Sequence, residues 1–226
     1  MTTAEVLLAS LQNADSFFPS GGVAFSWGLE TLIADGRVRG AEQMEACVEG
    51  QLRNRWAVCD RVALVAAARA AADMQRLQRI DSELEAMTLA QELREGSKRA
   101  GASLLTVHER LGTPGAGQYR AAVRAARAHG HLPLVQGLLW RGAGLSETAV
   151  QAVSAHIFCV GILGAALRLG SIGHIQGQEV LQRMRPVIAA LLDSPAAPLE
   201  EISTCAPETE IAAMRHQVQS TRLFAN

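Results

Sequence analysis

Apolar residues recur at intervals of three and four positions along most of this chain, which is the period of an amphipathic helix. One such face consists of Met44, Val48, Leu52, Trp56, Cys59 and Ala63. Further faces are formed by Leu77, Ile80, Leu84 and Met87, by Val150, Val153, Ile157, Val160, Gly164 and Leu167, and by Val180, Leu181, Met184, Val187, Ile188 and Leu191. Ala and Leu are abundant, whereas the β-branched and aromatic residues that strands need are scarce. The pattern predicts an all-α fold, a single-domain helical bundle of about eight to ten helices.

Local signals refine two of these helices. Ser146 precedes the third face as an N-cap, with Glu147 in the first turn, where negative charge is favourable. Gly161 and Gly164 lie inside the same helix, and because glycine destabilises a helix interior, they predict a close helix–helix contact. Pro186 is expected to kink or break the last helix.

Glycine- and proline-rich segments separate the helices, and most of them are short, so neighbouring helices are expected to pack antiparallel. The best candidate boundary is Ser194–Pro198. It divides a helical body, residues 1–198, from a C-terminal tail, residues 199–226.

Composition excludes several classes of protein. The chain has 226 residues, 49% of them hydrophobic, and a net charge of −1. Such a chain can bury a sizeable core, and nothing in its charge favours a nucleic acid or an anionic membrane as partner. The apolar run Ile157–Leu167 is too short to cross a bilayer, which needs about 20 residues, and is expected to be a buried helix.

The N-terminus has no basic region typical of a signal peptide, and the four cysteines are widely spaced. Both features predict a cytoplasmic protein with free thiols.

Recognisable catalytic motifs are absent from the sequence: it contains no HExxH, no GxSxG and no Walker loop. His129 and His131 flank Gly130 in a loop that could hold a soft divalent ion, but a polar loop with one structural histidine explains them better. Glu92, like other helical glutamates, is expected to be solvated. We therefore expect no enzyme activity and no resident metal or cofactor.

The segment from Phe18 to Glu30 is the unusual part of the sequence. Gly21 and Gly22 follow a proline and predict a tight loop. Phe25, Trp27 and Gly28 then crowd together at the opening of a helix. Packing of a helix start on the core explains much of this pattern, but not the combination of two large aromatic residues with a glycine.

Five segments in all carry specific patterns, and they span nearly the whole chain. They are PSGGVAFSWGLE at 19–30, ELREGSKRAGASLL at 92–105, HLPLVQG at 131–137, ALRLGSIGHIQGQEVL at 166–181, and MRHQVQSTRLF at 214–224. In the same order, these segments resemble the signatures of the urease accessory protein F (UreF) family. The chain departs from the family pattern at Val23 and Phe25, where Phe or Tyr and Tyr or His are usual, and in its Ala225–Asn226 ending.

The resemblance implies an all-α, non-enzymatic homodimer. It implies binding to urease accessory protein D (also called H), recruitment of the GTPase accessory protein G, and docking on apo-urease. The chain would act as a scaffold that regulates GTP-dependent nickel delivery, with nickel handled by the assembled complex. The partner-binding residues that match the family motifs are Gly21, Gly22, Phe25, Ser26, Gly28, Glu30, His216, Arg222, Leu223 and Phe224.

Within this set, we expect Glu30 to lie closer to the surface than Gly28, so that its loss affects binding rather than folding. We expect the tail to be loosely held in the free protein. His131 and Gly137 are expected to be structural. Two alternatives stay open on the sequence alone. One is a helical nickel-binding protein or metalloenzyme using His131, His174 or His216, and the other is a helical scaffold unconnected with urease.

Overall fold

Helices make up the regular structure of the chain, as the hydrophobic period predicted. The computed structural model describes residues 2–19, 25–70, 73–219 and 222–224, and no strand occurs among them. In chain order the α-helices are α1 (Thr3–Ala14), α2 (Leu29–Ala34), α3 (Gly40–Gln51), α4 (Arg61–Ala70), α5 (Met74–Met87), α6 (Gln91–Arg110), α7 (Ala116–Arg124), α8 (Leu132–Gly142), α9 (Glu147–Arg168), α10 (His174–Asp193) and α11 (Pro207–His216).

Helices α3 and α4 are continuous through a π-helical segment, Leu52–Asp60. Its wider turn keeps Leu52, Trp56 and Cys59 buried on the face that the sequence predicted, while Arg55 and Asp60 form an ion pair within the same segment. π-Helical turns are often found at functional sites. Here the segment places a charged pair next to the core.

The core forms around α9 and around the contact between α4 and α8. Gly137 of α8 lies against the backbone of α4, and a Cβ atom there would overlap the carbonyl oxygen of Leu64. This close approach explains why a glycine occupies the middle of a buried helix.

Helix α9 has the length and composition to cross a membrane. It packs instead against α1, α4, α8 and α10, so it is the buried core helix that the apolar run Ile157–Leu167 predicted. Ser146 caps it as predicted, its side chain accepting a hydrogen bond from the Ala149 amide.

The close helix–helix contact predicted at Gly161 and Gly164 is wrong. A Cβ atom at either glycine would meet no neighbouring atom within 4 Å, so no described helix packs closely on them. Helix α10 continues through Pro186, so the proline does not break the helix.

The described part of the tail packs on the body. Helix α11 contacts α2 and α6, and Ala212 and Phe224 belong to the same buried cluster as residues of α9. Helices of this length are marginal on their own in water, so docking on the body supplies their stability. The tail is therefore not the loosely held segment that we expected from the sequence.

Candidate functional site

The N-terminal segment turns sharply before α2, and the turn brings it against the tail. Trp27 and Gly28 both have left-handed backbone conformations, with φ angles of 54° and 87°. A Cβ atom at Gly28 would lie 2.7 Å from the carbonyl oxygen of Thr209 in α11. Gly28 therefore meets two demands at once, a positive φ angle and contact with a neighbouring backbone.

His216, at the end of α11, joins three segments that are remote in sequence. Its side chain is fully buried, and both ring nitrogens face carboxylates. The Nε2 atom lies 3.0 Å from an oxygen of Glu30 in α2, and the Nδ1 atom lies 3.1 Å from an oxygen of Glu92 in α6. Both ring nitrogens are thus within hydrogen-bonding distance of a carboxylate, and His216 connects the end of α11 to α2 and α6.

Glu30 also binds the backbone beyond α11. Its carboxylate accepts hydrogen bonds from the amides of Leu223 and Phe224, at 2.7 and 3.1 Å. The side chain of Glu30 is 11% exposed, which is closer to the surface than the buried Gly28, as expected, although most of it is covered. Glu92, expected to be solvated, is buried. We call Glu30, Glu92 and His216 the tail latch, because these contacts hold the tail on the body.

The end of the tail divides into an anchor and an exposed part. Phe224 is buried, and the guanidinium of Arg168 lies 4.3 Å from the centre of its ring. Leu223 is 63% exposed, and the Arg222 side chain is 43% exposed, with its Nη1 atom 3.7 Å from Glu92. The three residues of the predicted motif thus serve different purposes: Phe224 fixes the tail, and Arg222 and Leu223 are presented to solvent.

Phe25 and Ser26 are buried behind this surface. The Phe25 ring packs on Trp27 and lies beneath the guanidinium of Arg99, 4.9 Å from its centre. A Cβ atom at Gly96 would lie 3.3 Å from the Phe25 ring, so α6 also approaches closely here. The surroundings of position 25 are mainly apolar and aromatic, so a Phe ring packs there without needing a polar group. Gly21 and Gly22 lie outside the described residues.

A second buried polar cluster holds the loop before α8. Asp81 accepts hydrogen bonds from the amides of His129, Gly130 and His131, and from the hydroxyl of Tyr119. Burial and the adjacent Asp81 carboxylate raise the pKa of Tyr119, so it remains a donor. Sequence patterns did not indicate Asp81, because an isolated aspartate on a helix resembles a solvated one.

His131 and His216, the two buried histidines among the metal-binding candidates of the sequence, are not arranged as metal ligands. The His131 ring is paired at Nδ1 with Ser97 and at Nε2 with Glu85, and the His216 ring is paired at both nitrogens. No group of three His, Cys, Asp or Glu side chains suited to a metal ion occurs in the described ranges. The site thus consists of a docked tail with exposed side chains beside it.

Comparison with known proteins agrees with the motifs. The model of the UreF family matches residues 38–185. A "Urease accessory protein UreF" from Trichodesmium erythraeum is 33% identical over 228 residues, covering 97% of this chain and 96% of the relative. Proteins of the same name from Paenarthrobacter aurescens and Actinobacillus pleuropneumoniae serotype 5b are 31% and 29% identical, each over 96% of this chain.

Proposed function

Because the chain belongs to the UreF family of urease accessory proteins, we propose that it is a non-enzymatic scaffold for nickel insertion into urease. In this role it binds accessory protein D (H), recruits the GTPase accessory protein G, and brings both to apo-urease. It regulates GTP-dependent nickel delivery without itself holding the metal. The observation that best supports this proposal is the convergence of family-motif residues Glu30, Glu92 and His216 beside the exposed Arg222 and Leu223.

The exposed apolar surface supports a protein-binding role. Leu7, Leu8 and Leu11 of α1 are 59%, 65% and 58% exposed, and Leu11 lies about one helical turn from both Leu7 and Leu8. Clusters of exposed apolar side chains on soluble proteins commonly mark interaction surfaces. The chain therefore offers apolar contacts both on α1 and at Leu223.

We further propose that the protein works as a cytoplasmic homodimer. A dimer uses one surface twice, and this places two copies of every partner site in one assembly. Sedimentation of the purified chain at micromolar concentration should give the mass of a dimer. A monomer under these conditions would contradict this part of the proposal.

The experiment that tests the scaffold role is co-expression of the tagged chain with proteins D and G and with the urease subunits. We expect the tagged chain to retain protein D, to retain protein G when D is present, and to increase urease activity in nickel-containing medium. Full urease activation without the chain would overturn the proposal. So would hydrolysis of GTP by the purified chain that a point substitution in it abolishes.

A further inference from the structure

A polar depression of about 280 Å³ lies on the surface beside the tail latch. Its walls are formed by Gln91, Glu92, Glu95 and Arg99 of α6 and by Gln217 and Arg222 of the tail. The depression is therefore complete only while the tail is docked. Its tail wall is next in sequence to Leu223, the apolar side chain that the tail presents to solvent.

An aromatic ring holds the Arg99 guanidinium in place at this wall. The guanidinium lies over the ring of Phe25, 4.9 Å from the ring centre, and its Nε atom donates to the carbonyl oxygen of Glu95 at 3.4 Å. Stacking of this kind uses the face of the guanidinium, whereas its N–H donors lie in the plane. Arg99 is exposed, so it is a positioned cation at the surface, which loses little conformational entropy on binding.

Arg222 is the second cation of the depression. Its side chain is 43% exposed, and its Nη1 atom lies 3.7 Å from Glu92, beyond hydrogen-bonding distance. No other carboxylate of the described residues lies as close to it. Arg222 can therefore bind an incoming carboxylate without giving up a hydrogen bond to Glu92.

The two carboxylates on the wall are engaged by other groups of the chain. Both oxygens of Glu92 lie near the Nδ1 atom of His216, at 3.2 and 3.1 Å. Glu95 is paired with Lys98, their atoms 3.0 Å apart. These contacts limit how far the wall itself can neutralise its two arginines, so the depression favours an anionic group from outside.

Docking of a protein on Leu223 would also remove water from the neighbouring Arg222. A buried cation without a hydrogen-bonded counter-charge carries a desolvation cost of several kcal/mol. A carboxylate matches the planar fork of a guanidinium, and hydrogen bonds between two charged groups are the strong ones. A partner that covers this surface therefore gains most when it supplies a carboxylate.

We propose that Arg99 and Arg222 together bind one side-chain carboxylate of accessory protein D (H). This inference rests on the proposed function, which makes protein D a partner of this chain. It adds the chemical group that is recognised, and it adds Arg99, which is not among the partner-binding residues matched to the family motifs. Because one wall belongs to the tail, the site forms only while the tail latch holds the tail on the body.

Titration of purified protein D (H) with the wild type, Arg99→Gln, Arg222→Gln and the double variant tests the site. Each single change should weaken binding by about fivefold or more, because it leaves the carboxylate with one arginine. The dependence of Kd on sodium chloride between about 50 and 300 mM should also become weaker. Since both arginines bind the same group, the double variant should lose less affinity than the product of the two single effects. Effects that multiply would mean two separate contacts and would overturn the shared site.

Arg110→Gln is the matched control. Arg110 is also an exposed arginine of α6, about 16 Å along the helix from Arg99, and its variant should bind protein D as the wild type does. Full affinity of both single variants would overturn this inference and leave the scaffold role intact. A wild type that binds no protein D would overturn the proposed function, and this inference with it. If Arg99→Gln failed to fold, undiminished binding and an unchanged salt dependence in Arg222→Gln would still overturn the inference.

Discussion

The Nε2 atom of His216 lies 3.0 Å from a carboxylate oxygen of Glu30, although 186 positions separate the two residues in the chain. Glu30 also accepts the amides of Leu223 and Phe224, so one carboxylate fixes both the end of α11 and the segment after it. The N-terminal and C-terminal family signatures therefore describe two sides of one contact. Changes on either side should affect the same property, the docking of the tail.

Glu30→Ala should release the tail from the body. The substitution removes three hydrogen bonds and leaves His216 buried with only Glu92 as partner. Hydrogen bonds to charged groups contribute about 1.5 to 3 kcal/mol each, and water replaces part of this contribution once the tail is released, so we expect a loss of at least about 3 kcal/mol in unfolding free energy. Hydrogen exchange in residues 209–219 should accelerate with it.

Glu208→Ala is the matched control for this change. Glu208 also lies on α11, but its ion pair with Arg37 is largely exposed and such pairs contribute little. If both variants showed the same stability and the same exchange rates as the wild type, the tail latch would not hold the tail.

Gly28→Leu should destabilise the protein more than any exposed substitution on the same helix. The new side chain meets the Thr209 carbonyl and must adopt a φ angle of 87°, which L-residues disfavour. Strain of about 1 to 2 kcal/mol adds to overpacking of about 1 to 3 kcal/mol. Thermal unfolding measures the loss, and Gly50→Ala, where space is open, should raise the melting temperature slightly. Similar melting temperatures for the two variants would contradict this account of Gly28.

Stability should fall as the pH falls below neutrality, because histidines are buried. Burial lowers the pKa of His108 to about 4, and it also lowers the pKa of His131 and His156. The unfolded chain takes up a proton near pH 6.5 that the folded chain accepts only near pH 4. The unfolding free energy should therefore be about 2 kcal/mol smaller at pH 5 than at pH 7.5 on account of His108.

Urea unfolding of the wild type and of His108→Gln at these two pH values checks this contribution. Glutamine can keep the contacts of His108 with Asn13 and Thr113, which do not require a charge. The variant should lose less stability on acidification than the wild type. An identical pH dependence for both proteins would show that His108 does not contribute.

The helical fold followed from the sequence because helix formation depends on local spacing. The face from Met44 to Ala63 and the Ser146 cap required only neighbouring residues, and both appear in the structure. The π-helical segment within that face was not predicted, since its apolar residues keep the steps of three and four that are equally typical of an α-helix.

Long-range contacts limited the prediction of the site. Motif similarity identified Glu30 and His216 but not their pairing, because no local pattern connects positions so far apart. In the sequence Glu92 resembles a solvated helical glutamate, but in the structure the tail covers it. The prediction at Gly161 and Gly164 was wrong because a glycine in a helix can face either a close neighbour or open space, and the sequence spacing does not distinguish these two cases.

Phe224, the buried residue of the tail end, should contribute to the stability of the fold, whereas the exposed Arg222 should contribute little to it. Phe224→Ala removes a ring packed in the core cluster, and we expect a loss of about 3 kcal/mol in unfolding free energy, at the lower end for buried aromatic residues. Arg222 is exposed, and its Nη1 atom is 3.7 Å from Glu92, so Arg222→Ala should change the unfolding free energy by less than about 1 kcal/mol. Denaturant unfolding of both variants distinguishes these roles, and equal losses would contradict the division.

The claim that this chain is a partner-binding scaffold is tested most directly by the affinity of purified accessory protein D (H) for the wild type and for Leu223→Asp. Leu111→Asp is the control. Leu111 is similarly exposed, at 57%, but it follows the C-terminal end of α6, whereas Glu92 and the docked tail lie at the N-terminal end. We predict that the wild type and Leu111→Asp bind with equal affinity, and that Leu223→Asp, with unchanged melting, binds at least about tenfold more weakly. Equal binding by all three proteins, or no binding by the wild type, would contradict the account.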